Sequence, residues 1–257
     1  MKQLSIGFIG GGRIARILLL SFKNSKNTIK QICFSEIQDE KSKKLELEFP
    51  EARSGTMDEI MQQDIIFSTV HIPAILEILA EYKGKLTSKQ ILVSVSSKLQ
   101  LKEISEALGG HPNIARLTPN VPMVIKKGYN PIAVCEGFLS GQAKELVNFL
   151  GSIGKCVIVE ESKLEVYSLL AAMVPTYFWF QLYELQKLGK SYGLMEEEIK
   201  EGITEMIKGS IKVMFSKKIS REEALDLIPL QPMAEIEDIV MDSYEQVLNI
   251  LSKKLKV

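Results

Sequence analysis

A chain of 257 residues, 46% of them hydrophobic, can bury a sizeable core in one large domain or two small ones. Lysine plus arginine equals aspartate plus glutamate, 32 each, so no net field would draw the protein to nucleic acid or to an anionic membrane. No apolar run reaches the roughly 18 residues of a membrane-spanning helix. The three cysteines, Cys33, Cys135 and Cys156, lie far apart in apolar runs without metal-ligand spacing. They are expected to be buried free thiols, with no metal site and no disulfide. The first apolar stretch begins at once and is broken by Gly10, Gly11 and Gly12. That is not the pattern of a signal peptide, and the expected compartment is the cytoplasm.

Residues 4–9 read as a buried strand and residues 13–22 as a helix with apolar positions at helical spacing. A second strand is expected over 29–34, and the charged segment 39–48 reads as an exposed helix. Residues 64–70 form another strand pattern, followed over 73–82 by a helix that Pro73 opens. Strands are expected over 90–95 and 113–118 around a helix at 101–108, and over 130–135 and 155–159 around a helix at 140–150. Such alternation predicts an α/β domain with a mostly parallel sheet covered on both faces.

After Glu160 the strand signal stops. A long helical stretch over 163–192 is interrupted only by Pro175, and further helices are expected over 196–215 and 233–255. A short helix between them is opened by Ser220 and Glu223 at capping-box spacing. The domain boundary therefore falls near residue 160, dividing 1–160 from an all-helical 161–257. Leu169, Leu170, Met173, Phe178, Trp179, Leu182 and Leu185 cover more than one face of the long helix. A helix that is apolar nearly all round is buried. A domain this small can hardly bury it alone, so a second chain is expected to help.

The segment Gly10-Gly11-Gly12-Arg13-Ile14-Ala15 matches G-x-G-x-x-A directly after a buried strand and opens an amphipathic helix. This is the context of a Rossmann dinucleotide-binding turn. Gly10 permits the tight turn, Gly12 lets the backbone approach a diphosphate, and Ala15 lets the helix pack on the strand. Free amides at the helix start, from Gly11 to Ile14, would face the phosphates. The end of the second strand, Ser35-Glu36, should read the adenosine ribose. A carboxylate there accepts from both ribose hydroxyls and repels a 2′-phosphate, which favours NAD over NADP. Lys41, Lys43 and Lys44, with the Ser35 hydroxyl, keep NADP open. Ligands of such folds lie at the carboxyl ends of the strands. Val70, His71, Ser96, Ser97, Lys98, Pro119 and Asn120 all fall there. His71 could donate a proton, histidine being the side chain that exchanges protons near neutrality, and Lys98 could hold a substrate carboxylate. Each also has a plain reading, an exposed strand-end histidine and a solvated loop lysine. His111 sits in a Gly-Gly-His-Pro turn and receives no role.

The loop Arg116-Leu117-Thr118-Pro119-Asn120-Val121-Pro122 brackets Asn120 with two prolines, which would pre-position its amide. It resembles the R-x-M-P-N-T-P loop of pyrroline-5-carboxylate reductases, which reduce a cyclic imine to proline. Residues 6–10 resemble that family's opening I-G-F-I-G, and Pro175-Thr176-Tyr177 stands where the family has P-A-Y. Glu184-Leu185, Gly189 and Gly193-Leu194 follow in matching order. The resemblance spans nearly the whole chain and implies an N-terminal Rossmann domain, an NAD or NADP cofactor and a small cyclic imino acid as substrate. It also implies an interlocked homodimer formed by the C-terminal helices, with sites between the two domain types. It makes Asn120 and the Tyr177 hydroxyl candidates for the catalytic pocket, although residues 177–180 also read as a packed helix interface.

The departures fall on the chemistry. The family's S-G-S-G is here Ala171-Ala172-Met173-Val174, and its S-P-G-G-x-T is Leu230-Gln231-Pro232-Met233-Ala234-Glu235-Ile236, without glycine or threonine. The latter motif resembles a cradle for the substrate's carboxylate and nitrogen. Two readings follow: a reductase whose substrate has shifted, or a non-catalytic dinucleotide-binding dimer that lost the cradle. A third, a hydroxy-acid dehydrogenase, would need a catalytic helix lysine, and Lys163 stands at the wrong end for it.

Overall fold

The structure, a computed structural model, describes residues 3–25, 29–216 and 218–255. The glycine turn joins β1 (Leu4–Ile9), buried along its whole length, to α1 (Arg13–Lys23). Then come β2 (Ile29–Ser35), α2 (Asp39–Glu48), β3 (Ala52–Ser54) and α3 (Met57–Ile60). They are followed by β4 (Ile65–Ser68), α4 (Ala74–Glu81), β5 (Ile91–Ser94) and α5 (Leu101–Ala107). The last strands are β6 (Ile114–Leu117), β7 (Gly128–Val134) and β8 (Gly154–Ile158), with α6 (Ser140–Gly151) between β7 and β8. One eight-stranded sheet results, in the order β3-β2-β1-β4-β5-β6-β7-β8.

The first six strands are parallel, as the alternation predicts, while β7 runs antiparallel to β6 and β8 parallel to β7. This last pair is staggered. Ile158 lies opposite Ile132, which lies opposite Leu117, so the chain leaves β8 level with the carboxyl end of β6. Two apolar layers cover the faces. On one, Phe8 stacks on Phe67 at 5.3 Å between ring centroids and Phe22 packs on Phe149 at 5.0 Å. On the other, Ile66, Leu92 and Ile114 pack with Leu79 and Ile104. Both layers hold the strand ends rigidly, which is what a site on the following loops requires.

Two elements had no sequence expectation, β3 and α3. At three and four residues they are too short to show a period. A capping box opens α3: Thr56 N–H donates to Glu59 Oε2 at 2.8 Å, and Glu59 N–H donates to Thr56 Oγ1 at 3.3 Å. The stretch expected as one helix over 163–192 differs more. A 3-10 turn (Glu161–Lys163) leads into α7 (Leu164–Tyr167), a π-helical stretch (Ser168–Ala172) and then α8 (Val174–Ser191). Pro175 has no N–H for the carbonyl four residues back, so the ladder cannot pass through it unbroken. Just before it, Met173 N–H reaches back five residues to Ser168 O at 3.0 Å.

The chain divides into two compact units, Met1–Met173 with Ser252–Val257, and Val174–Leu251. The second holds α8, α9 (Glu196–Met214), α10 (Arg221–Asp226) and most of α11 (Glu237–Leu255). Gly189 lets α8 approach α9 closely, because a Cβ there would stand 3.0 Å from Ile199 Cγ1. Ile199 is the one large apolar side chain of this unit that is buried among the described residues. Phe178, Trp179, Phe180 and Tyr183 are exposed, so the apolar helix expected to be buried is bare in a single chain. Among the described residues no helix is long and apolar enough to cross a membrane.

Candidate functional site

The turn between β1 and α1 is built on two glycines with different duties. Gly10 has φ +97, and a Cβ on it would come within 2.6 Å of Val70 Cγ1. Its N–H donates to Ser35 O at 2.9 Å, and Thr69 Oγ1 lies 2.9 Å from Gly10 O, so β2 and β4 both grip the turn. Gly12 precedes the first helical residue, and a Cβ there would meet nothing within 4 Å. No side chain caps the start of α1, which leaves its first amides for an anion. Arg13 is exposed beside them, whereas Ala15 is fully buried against the sheet.

Glu36 is tied into this turn. Gly11 N–H donates to Glu36 Oε2 at 3.0 Å, and Gln38 N–H donates to Glu36 Oε1 at 3.0 Å. Gly11 therefore spends its amide on positioning the carboxylate. Each oxygen of Glu36 keeps a lone pair for a ribose hydroxyl. Ser35, half-buried at the end of β2, lends its carbonyl to Gly10. Lys41, Lys43 and Lys44 are exposed on α2.

Beyond the turn, the loops after β4 and β5 enclose a cavity of about 440 Å³ lined by Ile14, Val70, His71, Ser96 and Lys98 among others. A second chamber of about 190 Å³ adjoins it across Ile14, Val95, Ser96 and Ser97. Arg116, Pro119, Glu165, Ser168 and Met173 also line that chamber. The structure thus gathers Gly10, Gly11, Gly12, Arg13, Ile14, Ser35, Glu36, Val70, His71, Ser96, Lys98 and Pro119 at one end of the sheet.

Among the expected residues of the first unit, Asn120 lines neither cavity. Asn120 is pre-positioned, but toward β7. It is buried, and its Nδ2 donates to Tyr129 O at 2.6 Å and to Asn130 Oδ1 at 3.2 Å. The two prolines set its backbone, and the nearest carbonyl captures its amide, so Asn120 pins the loop rather than facing either cavity. Tyr177 belongs to the second unit, where its ring packs edge-on against Tyr244 at 5.8 Å between centroids. Burial and then the neighbouring Tyr244 push its hydroxyl above the usual tyrosine range.

Arg116 is the residue the sequence reading did not single out. Its side chain is 5% exposed, and it donates from Nη1 to Glu161 Oε1 at 2.8 Å and from Nη2 to Glu165 Oε1 at 2.5 Å. Nη2 also reaches Ser96 O at 3.3 Å, on the loop that separates the two cavities. Glu161 Oε1 accepts a further bond from Leu101 N–H at 2.7 Å, at the start of α5. A signal was present. An arginine inside a four-residue buried strand must be paired, and Glu161 and Glu165 stand four apart at the start of the first helix after the sheet.

The remaining candidates for chemistry fall away. All three cysteines are free, Cys33 buried and the other two half-buried. Burial pushes the Cys135 thiol up to about 11 and the Cys156 thiol up to about 12, so neither is a thiolate nucleophile. His111 is more than a turn residue. It is buried, its Nε2 lies 3.1 Å from Gln90 O, and burial lowers its pKa below the usual histidine range. It reads as a tie between the segments that lead into β5 and β6. No cluster of three or more metal-ligating side chains occurs among the described residues.

The open space at Gly12, the uncapped helix start and the doubly held Glu36 fit a dinucleotide, with its diphosphate at Gly12 to Ile14 and its ribose at Glu36. Comparison with known proteins agrees. Residues 5–98 match the family described as NADP oxidoreductase, coenzyme F420-dependent. The chain is 21% identical over 214 residues to a pyrroline-5-carboxylate reductase of Corynebacterium melassecola, covering 82% of this chain and 79% of the relative. It is 21% identical over 217 residues to pyrroline-5-carboxylate reductase 1 of Bacillus subtilis, covering 82% and 72%. In fold it is similar to the NADP-bound crystal structure of Plasmodium falciparum pyrroline carboxylate reductase, with a TM-score of 0.78 at 19% identity, covering 100% of this chain and 98% of the other. The chain is thus similar in sequence and in fold to pyrroline-5-carboxylate reductases, and over residues 5–98 to the NADP oxidoreductase family.

Proposed function

We propose that the protein reduces the C=N bond of a small cyclic imino acid, with NADH as the favoured cofactor. The observation that carries this reading is the pair of adjoining cavities at the strand ends, opening from a turn built for a diphosphate. A bound reduced nicotinamide would supply the hydride. The chain's own residues bind and orient. Gly12 to Ile14 offer amides to the diphosphate, and Val70, Ser96 and Pro119 shape the walls of the cleft. Lys98, exposed in the larger cavity, is placed to hold a substrate carboxylate. His71 stands exposed in the same cavity and is the group proposed to exchange the nitrogen's proton with solvent. Asn120 and Tyr177 contribute by holding the loop and the second unit in shape.

The bare apolar side chains of α8, α9 and α11 support a homodimer through the second unit. One observation favours the non-catalytic reading. Residues 230–236, where relatives carry S-P-G-G-x-T, form an exposed segment with Leu230 and Met233 in the open and no glycine. The experiment that separates the two is the absorbance decay of NADH, and separately NADPH, with pyrroline-5-carboxylate. Turnover is expected. Its absence with both cofactors, while NADH still binds, would favour the non-catalytic dimer.

Cofactor choice rests on Glu36. Its charge would lie beside a 2′-phosphate, where like charges about 4 Å apart repel by at least ~1 kcal/mol. Glu36→Gln keeps an acceptor for the Gly11 amide and removes the charge. Fluorescence titration should show the NADPH-to-NADH affinity ratio rising about tenfold in the variant. An unchanged ratio would remove Glu36 from the reading.

A further inference from the structure

The smaller chamber has an electrostatic character that the larger one lacks. Its charged lining consists of Arg116 and Glu165. One guanidinium lies between two carboxylates, Glu161 and Glu165, so one negative charge is left uncompensated. Arg116 is nearly buried and already engaged: both Nη atoms donate to the protein, and Nε is shut away from solvent with no partner among the described residues. Glu165 is different. Its side chain is 12% exposed at the chamber wall, Oε1 is held by Arg116, and Oε2 has no partner among the described residues. Lys98 lines the neighbouring cavity and not this one.

Such a wall repels carboxylates and attracts a protonated N–H donor. A charge-assisted hydrogen bond to a largely buried carboxylate is among the stronger single polar contacts. Size agrees. The chamber's 190 Å³ is roughly six times the volume of a liquid water molecule, about 30 Å³, enough for one five- or six-membered ring. The π-helical stretch Ser168–Ala172 borders it, and π-bulges recur at ligand sites.

We propose that Glu165, held in place by Arg116, seats the protonated nitrogen of the substrate, an iminium before reduction and an ammonium after it. This rests on the reductase reading above and extends its substrate class from cyclic imino acids to cyclic imines. In the reduction, the carbon of C=N⁺ takes a hydride from the reduced nicotinamide, which is oxidised. The π pair becomes the nitrogen lone pair, and a proton from solvent converts the amine to ammonium. The nitrogen is what this chamber recognises, so a ring without an acid group is accepted as well as one with it.

The test compares pyrrolidine, protonated at neutral pH, with its neutral isostere tetrahydrofuran by ligand-observed NMR, with and without NAD⁺ on the full chain. Pyrrolidinium is expected to bind about tenfold more tightly or better, and Glu165→Gln, which keeps an acceptor for Arg116, should erase that preference without changing NAD⁺ affinity. Equal binding of the two rings to the parent protein overturns the proposal without any variant. So does a preference that survives in Glu165→Gln while NAD⁺ affinity falls, which would assign the carboxylate to the cofactor's carboxamide. Failure of NAD⁺ itself to bind strikes the reductase reading instead, and the ring comparison without NAD⁺ still decides the charge preference.

Discussion

Gly12→Val is expected to remain folded and to lose dinucleotide binding. A Cβ at Gly12 meets nothing in the protein within 4 Å, and the backbone there, φ −75 and ψ −168, is open to any residue. Valine is a poorer helix cap than glycine, so a cost of about 0.5–1 kcal/mol is expected, a melting shift of a few degrees. The branched side chain would fill the space through which a diphosphate reaches the first amides of α1. Losing two such contacts at about 1.5 kcal/mol each lowers affinity on the order of a hundredfold. Circular dichroism melting and NADH fluorescence titration measure the two effects separately. Unchanged NADH affinity in a folded variant would sink the dinucleotide assignment.

Arg116→Met should show the largest loss of stability. It leaves Glu161 and Glu165 facing each other without their cation, one of them nearly buried. Breaking a buried ion pair from one side costs about 3–5 kcal/mol. Glu161 is 30% exposed and partly screened, which places the effect toward the lower end. Against a total stability of about 5–15 kcal/mol that is severe, and melting should fall by about 6–12 °C. Removing the stranded charges identifies the cause. Glu161→Gln and Glu165→Gln added to Arg116→Met should recover most of the loss. A melting point that these two substitutions leave unmoved would mean lost packing, not stranded charge.

The parts of the site readable from sequence are those where one residue answers one steric demand. Gly10 needs its positive φ beside Val70, Gly12 needs empty space, and Ala15 needs to be small against the sheet. The strands other than β3 were readable because each holds a short apolar run between polar loops. Arg116 was visible only as the first letter of a resemblance. Its partners depend on the stagger that sets Ile158 level with Leu117, and no local pattern encodes a register between strands forty residues apart. Asn120 shows the reverse. The prolines did fix it, but the direction of its amide was decided by a carbonyl on β7. For α8 the period showed apolar residues all round, which states that something covers the helix without stating what.

The contact between Glu36 and Gly11 changes when the loop becomes ordered. Holding a residue in one backbone conformation costs about 1–2 kcal/mol of entropy. Here β2, β4 and the carboxylate have already imposed that order on the turn during folding, so an arriving ligand finds a rigid mould and association leaves little chain freedom to be lost. The carboxylate proposed to take the ribose would thereby also make the phosphate-binding turn ready in advance, and the ribose and diphosphate of a dinucleotide would meet a single preorganised surface.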